Sequence, residues 1–270
     1  MTRAKKPQPT ERITELCVQF KLPTVGAELC RRLAEAGFGD AIAIVSEVFE
    51  MEASDRHERR VERLRRASRL PPGKTFGTLD DSKLPKTVLH RARELATGTF
   101  LEGGTNLLCF GLPGRGKSHV ACAIGHALVE QGHAVLFAPT YQLVQELLAA
   151  KRDLALPSML RKLDAFDAIV LDDIGYVQQN VDEAEVLFTL LAERYERRSV
   201  IITSNLVFSE WERIFRNPLS TMAAIDRLVH HSVILEFDGP SVRAEEAKRR
   251  QRGDPDPAPR KPKHQEHQEA

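Results

Sequence analysis

The sequence predicts an α/β fold: a three-layer core with a parallel sheet, a small all-α N-terminal domain before it and a disordered C-terminal tail after it. Three observations carry this. Short apolar runs alternate with helical patterns through the middle of the chain, and the runs lack the in–out alternation of strands with one wet face. Residues 11–70 show helical periodicity. From Lys248 the chain reads KRRQRGDPDPAPRKPKHQEHQEA, Pro-rich, charged and almost without apolar residues.

In order along the chain, residues 1–10 are basic and Pro-containing and are expected to be disordered. Residues 11–70 form the helical domain. Ile13, Leu16, Cys17 and Phe20 recur at helical spacing on one face. Pro23 punctuates, and Leu29 and Leu33 continue the period in a second helix. Gly37 and Gly39 break it, and Asp40 is placed to cap a third helix carrying Ile44, Val45, Val48 and Phe49. That helix runs on into the charged stretch Asp55 to Arg69 and stops at Pro71, Pro72 and Gly73. Residues 71–104 are a linker with a lead-in helix, and 105–245 the α/β domain. Its expected strands are Asn106–Phe110, Ala134–Ala138, Ala168–Leu171, Ser199–Thr203 and Val233–Phe237. Helices are expected near His119–Gln131, Tyr141–Lys151, Ser158–Leu163 and Glu183–Tyr195, the first of them closed by Gly132. Residues 246–270 are the tail.

Composition narrows the class. A hydrophobic fraction of 42% over 270 residues suffices for a sizeable core, and no run approaches the length of a membrane helix. No apolar segment follows the basic N-terminus, so a cytoplasmic protein without membrane contact is expected. Cys17, Cys30, Cys109 and Cys122 form no C-x-x-C pair and read as free thiols in a reducing compartment. The net charge of +1 means that any nucleic-acid binding must come from local patches. One such patch is Asp55–Arg69, with seven arginines against three carboxylates. It can track a phosphate backbone or be a solvated helix laced by i,i+4 pairs such as Glu62 with Arg66. Lys151, Arg152, Arg161 and Lys162 form a second basic group.

Chemistry concentrates after the first strand. Gly111-Leu112-Pro113-Gly114-Arg115-Gly116-Lys117-Ser118 fits G-x-x-x-x-G-K-[ST] at every fixed position. Its glycines let backbone N–H groups wrap around phosphate oxygens, and the helix that follows, beginning near His119, points its positive end at the anion. Lys117 is expected on the β- and γ-phosphates of ATP and the Ser118 hydroxyl on Mg²⁺. The run Ala168–Leu171 ends in Asp172 and Asp173, 55 and 56 residues after the lysine. Asp172 is expected on the Mg²⁺ side of the phosphates, and Asp173 to orient or deprotonate the attacking water. Asn205 ends another strand and would contact the γ-phosphate or the water if that strand neighbours Asp172's. Arg227, in Asp226-Arg227-Leu228, can serve as a finger into a neighbouring subunit's site, and Arg243 can sense phosphate. His230 and His231 are adjacent; on a helix they would point apart, so no metal site is expected there.

Taken together, NLLCFGLPGRGKSHVACAIG, FAPTYQLVQELLAA, LRKLDAFDAIVLDDIGYV, SVIITSNLVFSEW and AAIDRLVHHSVILEF resemble the AAA+ ATPases of the initiator and helicase-loader branch. They are most similar to the IstB-like family, the ATP-binding helpers of bacterial insertion sequences. The resemblance covers about residues 11 to 243. It implies a P-loop NTPase core that binds ATP and Mg²⁺, hydrolyses ATP and assembles as a homo-oligomer on double-stranded DNA. It also implies a cognate transposase as partner, with a helical N-terminal domain contributing to DNA or partner contacts. In that family Asp172 would be the metal-side carboxylate, Asp173 the hydrolytic one, Asn205 the sensor and Arg227 the finger supplied in trans. Two departures stand out: the second acid is usually Glu where this chain has Asp173, and a Phe expected in the linker is absent around Leu79 to Asp81. The alternative with the same core is a replicative helicase loader of DnaC type, and the neighbouring gene would discriminate. A P-loop small-molecule kinase leaves Arg227 and the basic helices without a task. A nucleotide-gated scaffold with slow turnover is kept open by Asp173.

Overall fold

The computed structural model describes residues 8–175, 180–206, 210–211 and 228–238. The chain divides into two compact units, residues up to 63 and residues from 64, where the sequence pattern set the division near 70.

The first unit is helical. Helices α1 (Pro9–Gln19) and α2 (Pro23–Glu35) each open on a proline, whose fixed φ suits a first helical turn and whose missing N–H is not needed there. The helix therefore starts at Pro9, inside the stretch expected to be disordered, with the Glu11 carboxylate accepting from the Gln8 N–H at 3.2 Å. Ile13, Leu16 and Cys17 are buried on α1. Gly26 lets α2 approach closely, since a Cβ there would lie 2.9 Å from the Cys17 Cβ. Helix α3 (Ala41–Ser68) starts directly after Asp40. On it Phe49 meets the Phe20 ring at 6.0 Å, Arg56 lies 4.2 Å over that same ring, and Glu50 accepts from Arg12. Several of its charges pair along the helix, Arg56 with Glu52 and Arg59 with Asp55.

In the second unit α3 ends at Ser68 and Arg69 turns to φ 56° before the two prolines. Leu70 packs on Gly125, where a Cβ would come within 3.0 Å of its side chain. Helix α4 (Lys86–Leu95) leads into strand β1 (Asn106–Phe110), followed by α5 (Lys117–Glu130), β2 (Val135–Pro139), α6 (Thr140–Arg152), α7 (Leu156–Asp164), β3 (Ala168–Ile174), α8 (Val181–Arg194), β4 (Ser199–Ser204) and β5 (Ser232–Glu236). The five strands are parallel in the order β2-β3-β4-β1-β5. Leu108, Phe110, Ile169, Leu171, Val200 and Ile202 face one apolar cluster shared with α6, α7 and α8. The alternate residues face the opposite layer, where α5 packs against the sheet and α4 against α5. Burial of all five β1 residues explains the run of apolar residues without alternation.

Buried Arg194 ties the amino-terminal edge of the sheet together, donating to the carbonyls of Leu163, Phe166 and Ser199. Burial pulls its pKa down to about 10. At the other edge β3 runs three residues past its expected end, to Ile174, because a bulge lets its pairing with β4 continue.

Candidate functional site

The order of the strands places β4 between β1 and β3. Everything that follows their carboxyl ends therefore converges, as the crevice of an open α/β sheet requires.

Residues 111–116 connect β1 to α5. Gly111, Gly114 and Gly116 take φ of 149°, 81° and 89°, values that side chains resist. Gly111 is also required by contact: a Cβ there would lie 2.5 Å from the Phe237 carbonyl oxygen. Leu112 and Pro113 are exposed, and Ser118 is half-buried in the first turn of α5. The opening N–H groups of a helix have no partner within it, so α5 presents donors to this loop.

Lys117 is 4% exposed. Its ammonium donates to the Gly111 carbonyl at 2.6 Å, the Leu112 carbonyl at 3.0 Å and Asn205 Oδ1 at 2.7 Å. The lysine, the loop and the residue after β4 are thus one hydrogen-bonded unit, and Asn205's strand does lie beside Asp172's.

The two aspartates are shaped by the bulge. Leu171 pairs with Ile202 and Ile174 with Ser204, so Asp172 and Asp173 together oppose Thr203. Asp173 takes φ 58° and is exposed; Asp172 is half-buried. Thr203 locks the arrangement. Its hydroxyl donates to Asp172 Oδ1 at 2.7 Å and accepts from the Asp173 N–H at 2.9 Å. Thr140 donates to the Asp172 carbonyl at 2.9 Å. Sequence reading passed over Thr203, although a threonine closing a buried apolar strand beside Asn205 was a usable signal.

Two P-loop side chains point to structural partners. Arg115 donates to the Phe237 carbonyl at 3.0 Å and lies 3.6 Å from Asp238, which leaves its backbone to the loop. His119 Nε2 lies 3.0 Å from the Thr75 carbonyl and 3.1 Å from the Thr78 hydroxyl, joining α5 to the linker. Burial holds this imidazole below its ordinary value, against the Thr75 hydrogen bond, with the Lys74 charge adding to the lowering. Burial also pushes the Cys109 thiol on β1 up to about 12; the Lys117 charge opposes this and the Asp172 charge adds to it.

Arg227 and Arg243 lie outside the described residues. His230 and His231 do not diverge as expected for a continuous helix. The helical turn ends at His230, and the His231 carbonyl accepts from the Asn106 N–H at 2.7 Å, at the head of β1. Both imidazoles consequently lie close to Glu196.

The loop, its lysine and the paired carboxylates fit a nucleoside triphosphate with a divalent ion. Glycine-lined N–H groups and an ammonium suit phosphates, and Asp172 and Ser118 are hard oxygen donors of the kind Mg²⁺ takes.

Comparisons with known proteins bear on the ATP-binding reading. The family model of the IstB-like ATP binding protein matches residues 25–250. A Sinorhizobium fredii protein described as an insertion-sequence ATP-binding protein is 46% identical over 213 residues, 77% of this chain and 72% of the relative. A Pseudomonas aeruginosa protein of the same description is 38% identical, over 74% of this chain and 76% of its own length. One from Geobacillus stearothermophilus is 34% identical, over 87% and 95%. Among solved structures, AMPPCP-bound DnaA from Aquifex aeolicus aligns with TM-score 0.52 at 16% identity, covering 71% of this chain and 59% of that one. The DnaC helicase loader aligns with TM-score 0.51 at 20% identity, covering 65% and 99%. These likenesses concern the fold, a P-loop AAA+ core. With 226 consecutive residues matched by the family model and these identities, the chain belongs to the IstB-like ATP-binding protein family.

Proposed function

We propose that this chain is an ATP-dependent DNA-binding ATPase that assists a transposase, assembling as a homo-oligomer on double-stranded DNA. The observation that carries the nucleotide reading is the single hydrogen-bonded unit of P-loop, Lys117 and Asn205, joined through β4 to the Asp172–Thr203 pair. With ATP bound, the P-loop N–H groups and Lys117 hold the phosphates, and Ser118 and Asp172 hold Mg²⁺. Asp173 takes a proton from the attacking water, which displaces ADP from the γ-phosphorus and yields inorganic phosphate. Asn205 orients that water or the γ-phosphate. The DNA and transposase parts are supported by the insertion-sequence names of the relatives and by the basic residues of α3.

The test is ATP hydrolysis by the purified protein with and without double-stranded DNA, with the complexes sized in parallel. DNA-stimulated turnover and ATP-dependent large assemblies are expected, and Lys117→Ala is expected to lose nucleotide binding and the assemblies together. A monomer indifferent to DNA would sink the reading, and full assembly of the Lys117→Ala variant would sink nucleotide gating.

A further inference from the structure

We propose that Glu196, His230 and His231 form a binding site for a divalent transition-metal ion of the zinc class, separate from the nucleotide site. One ligand atom from each of the three residues lies within 4.8 Å of the others. One edge of this triangle is already closed, His231 Nε2 standing 3.2 Å from Glu196 Oε1. Metal–ligand bonds of about 2.0–2.2 Å in a tetrahedral site put ligand atoms about 3.4 Å apart. The remaining edges therefore need to shorten by at most about 1.5 Å, within reach of side-chain rotation.

The backbone around the triangle is fixed from both sides. Glu196 takes φ 55° directly against Gly104, where a Cβ would meet the Glu196 carbonyl carbon at 2.9 Å. The His231 carbonyl is held by the Asn106 N–H at the head of β1. The imidazoles stand edge to face, 4.4 Å between centroids, and Tyr195 Oη lies 3.4 Å from His230 Nδ1. Nearby guanidiniums are engaged elsewhere, Arg197 with Asp164 and Arg198 with Asp167. Two imidazoles and a carboxylate suit Zn²⁺ and related ions, whereas Mg²⁺ takes oxygen donors and prefers its own waters. The site lies at the amino-terminal end of β1, a strand length of about 15 Å from the P-loop. An ion here would join the segment after α8 to the head of β5 and take no part in hydrolysis.

The experiment is calorimetric titration of untagged, chelator-treated full-length protein with ZnCl₂ in excess MgCl₂, with melting temperature as a second readout. One Zn²⁺ per chain is expected to bind despite Mg²⁺ and to raise the melting temperature. His231→Asn and Glu196→Gln should each weaken it by about tenfold or more, by the scale on which metal-site partners act. Both variants remove exposed side chains, and an unchanged melting temperature without metal checks that they fold. The tail carries His264 and His267, so a His264→Ala/His267→Ala double variant must retain the site. No uptake by the parent, equal uptake by His231→Asn and Glu196→Gln, or loss in the tail variant would each overturn the proposal.

Discussion

The base proposed for hydrolysis, Asp173, sits on an unusual backbone. Its φ of 58° places it in the left-handed region, which costs most L-residues roughly 1–2 kcal/mol and which, besides Gly, Asn and Asp occasionally adopt. An aspartate is therefore well suited to the bulged position. A glutamate would gain a methylene of reach and lose that local ease. Because Asn tolerates the same backbone, Asp173→Asn isolates the charge. It is expected to bind ATP as the parent does and to lower turnover by about a hundredfold, the lower bound for losing a general base. Nucleotide affinity and single-turnover rate should be measured side by side. A turnover rate equal to the parent's would remove Asp173 from the chemistry.

The element that organises the site is the paired end of β3 and β4. Thr203 is fully buried and uses its hydroxyl in both directions, toward the Asp172 carboxylate and from the Asp173 amide. Thr203→Val keeps the shape and strands both partners. An unsatisfied buried group costs about 1–3 kcal/mol, so a lower melting temperature is expected. The variant should also raise the Mg²⁺ concentration needed for half-maximal hydrolysis, because Asp172, proposed to hold the ion, loses its orientation. A purely structural threonine would change the melting temperature and leave the Mg²⁺ dependence alone. Most elements around this pair were legible in the sequence. Residues 106–110 read as a buried strand because all five are buried, and the P-loop glycines announced a turn that a Cβ would block. The bulge was not legible, since Ala168–Ile174 carries no mark of a residue inserted into a pairing register. The histidine pair misled for a related reason. A helical pattern extended through His231 separates the two rings, whereas the parallel ladder with β1 takes over at that residue and brings them together.

At the scale of the whole molecule, the proposed homo-oligomer would complete each nucleotide site with a residue of a neighbouring subunit. The P-loop, Lys117, Asn205 and the aspartates stand at the carboxyl ends of the strands. Leu228 is tied to the other end, its carbonyl accepting from the Asn106 side chain at the first residue of β1. Arg227 precedes Leu228 in sequence but lies outside the described residues, and its task in a neighbouring subunit's site is what the family resemblance implies. Asp173→Asn and Arg227→Ala should each be nearly inactive, the first holding ATP without its general base, the second holding ATP without a finger to complete the neighbour's site. Mixed before assembly, an Asp173→Asn subunit can lend its intact arginine to the intact Asp173 site of an Arg227→Ala subunit. Turnover on DNA should then exceed the sum of the two separate preparations, with a maximum near equal proportions. Activity that stays at the sum, while sizing shows that the two variants co-assemble, would place the arginine's effect within its own chain.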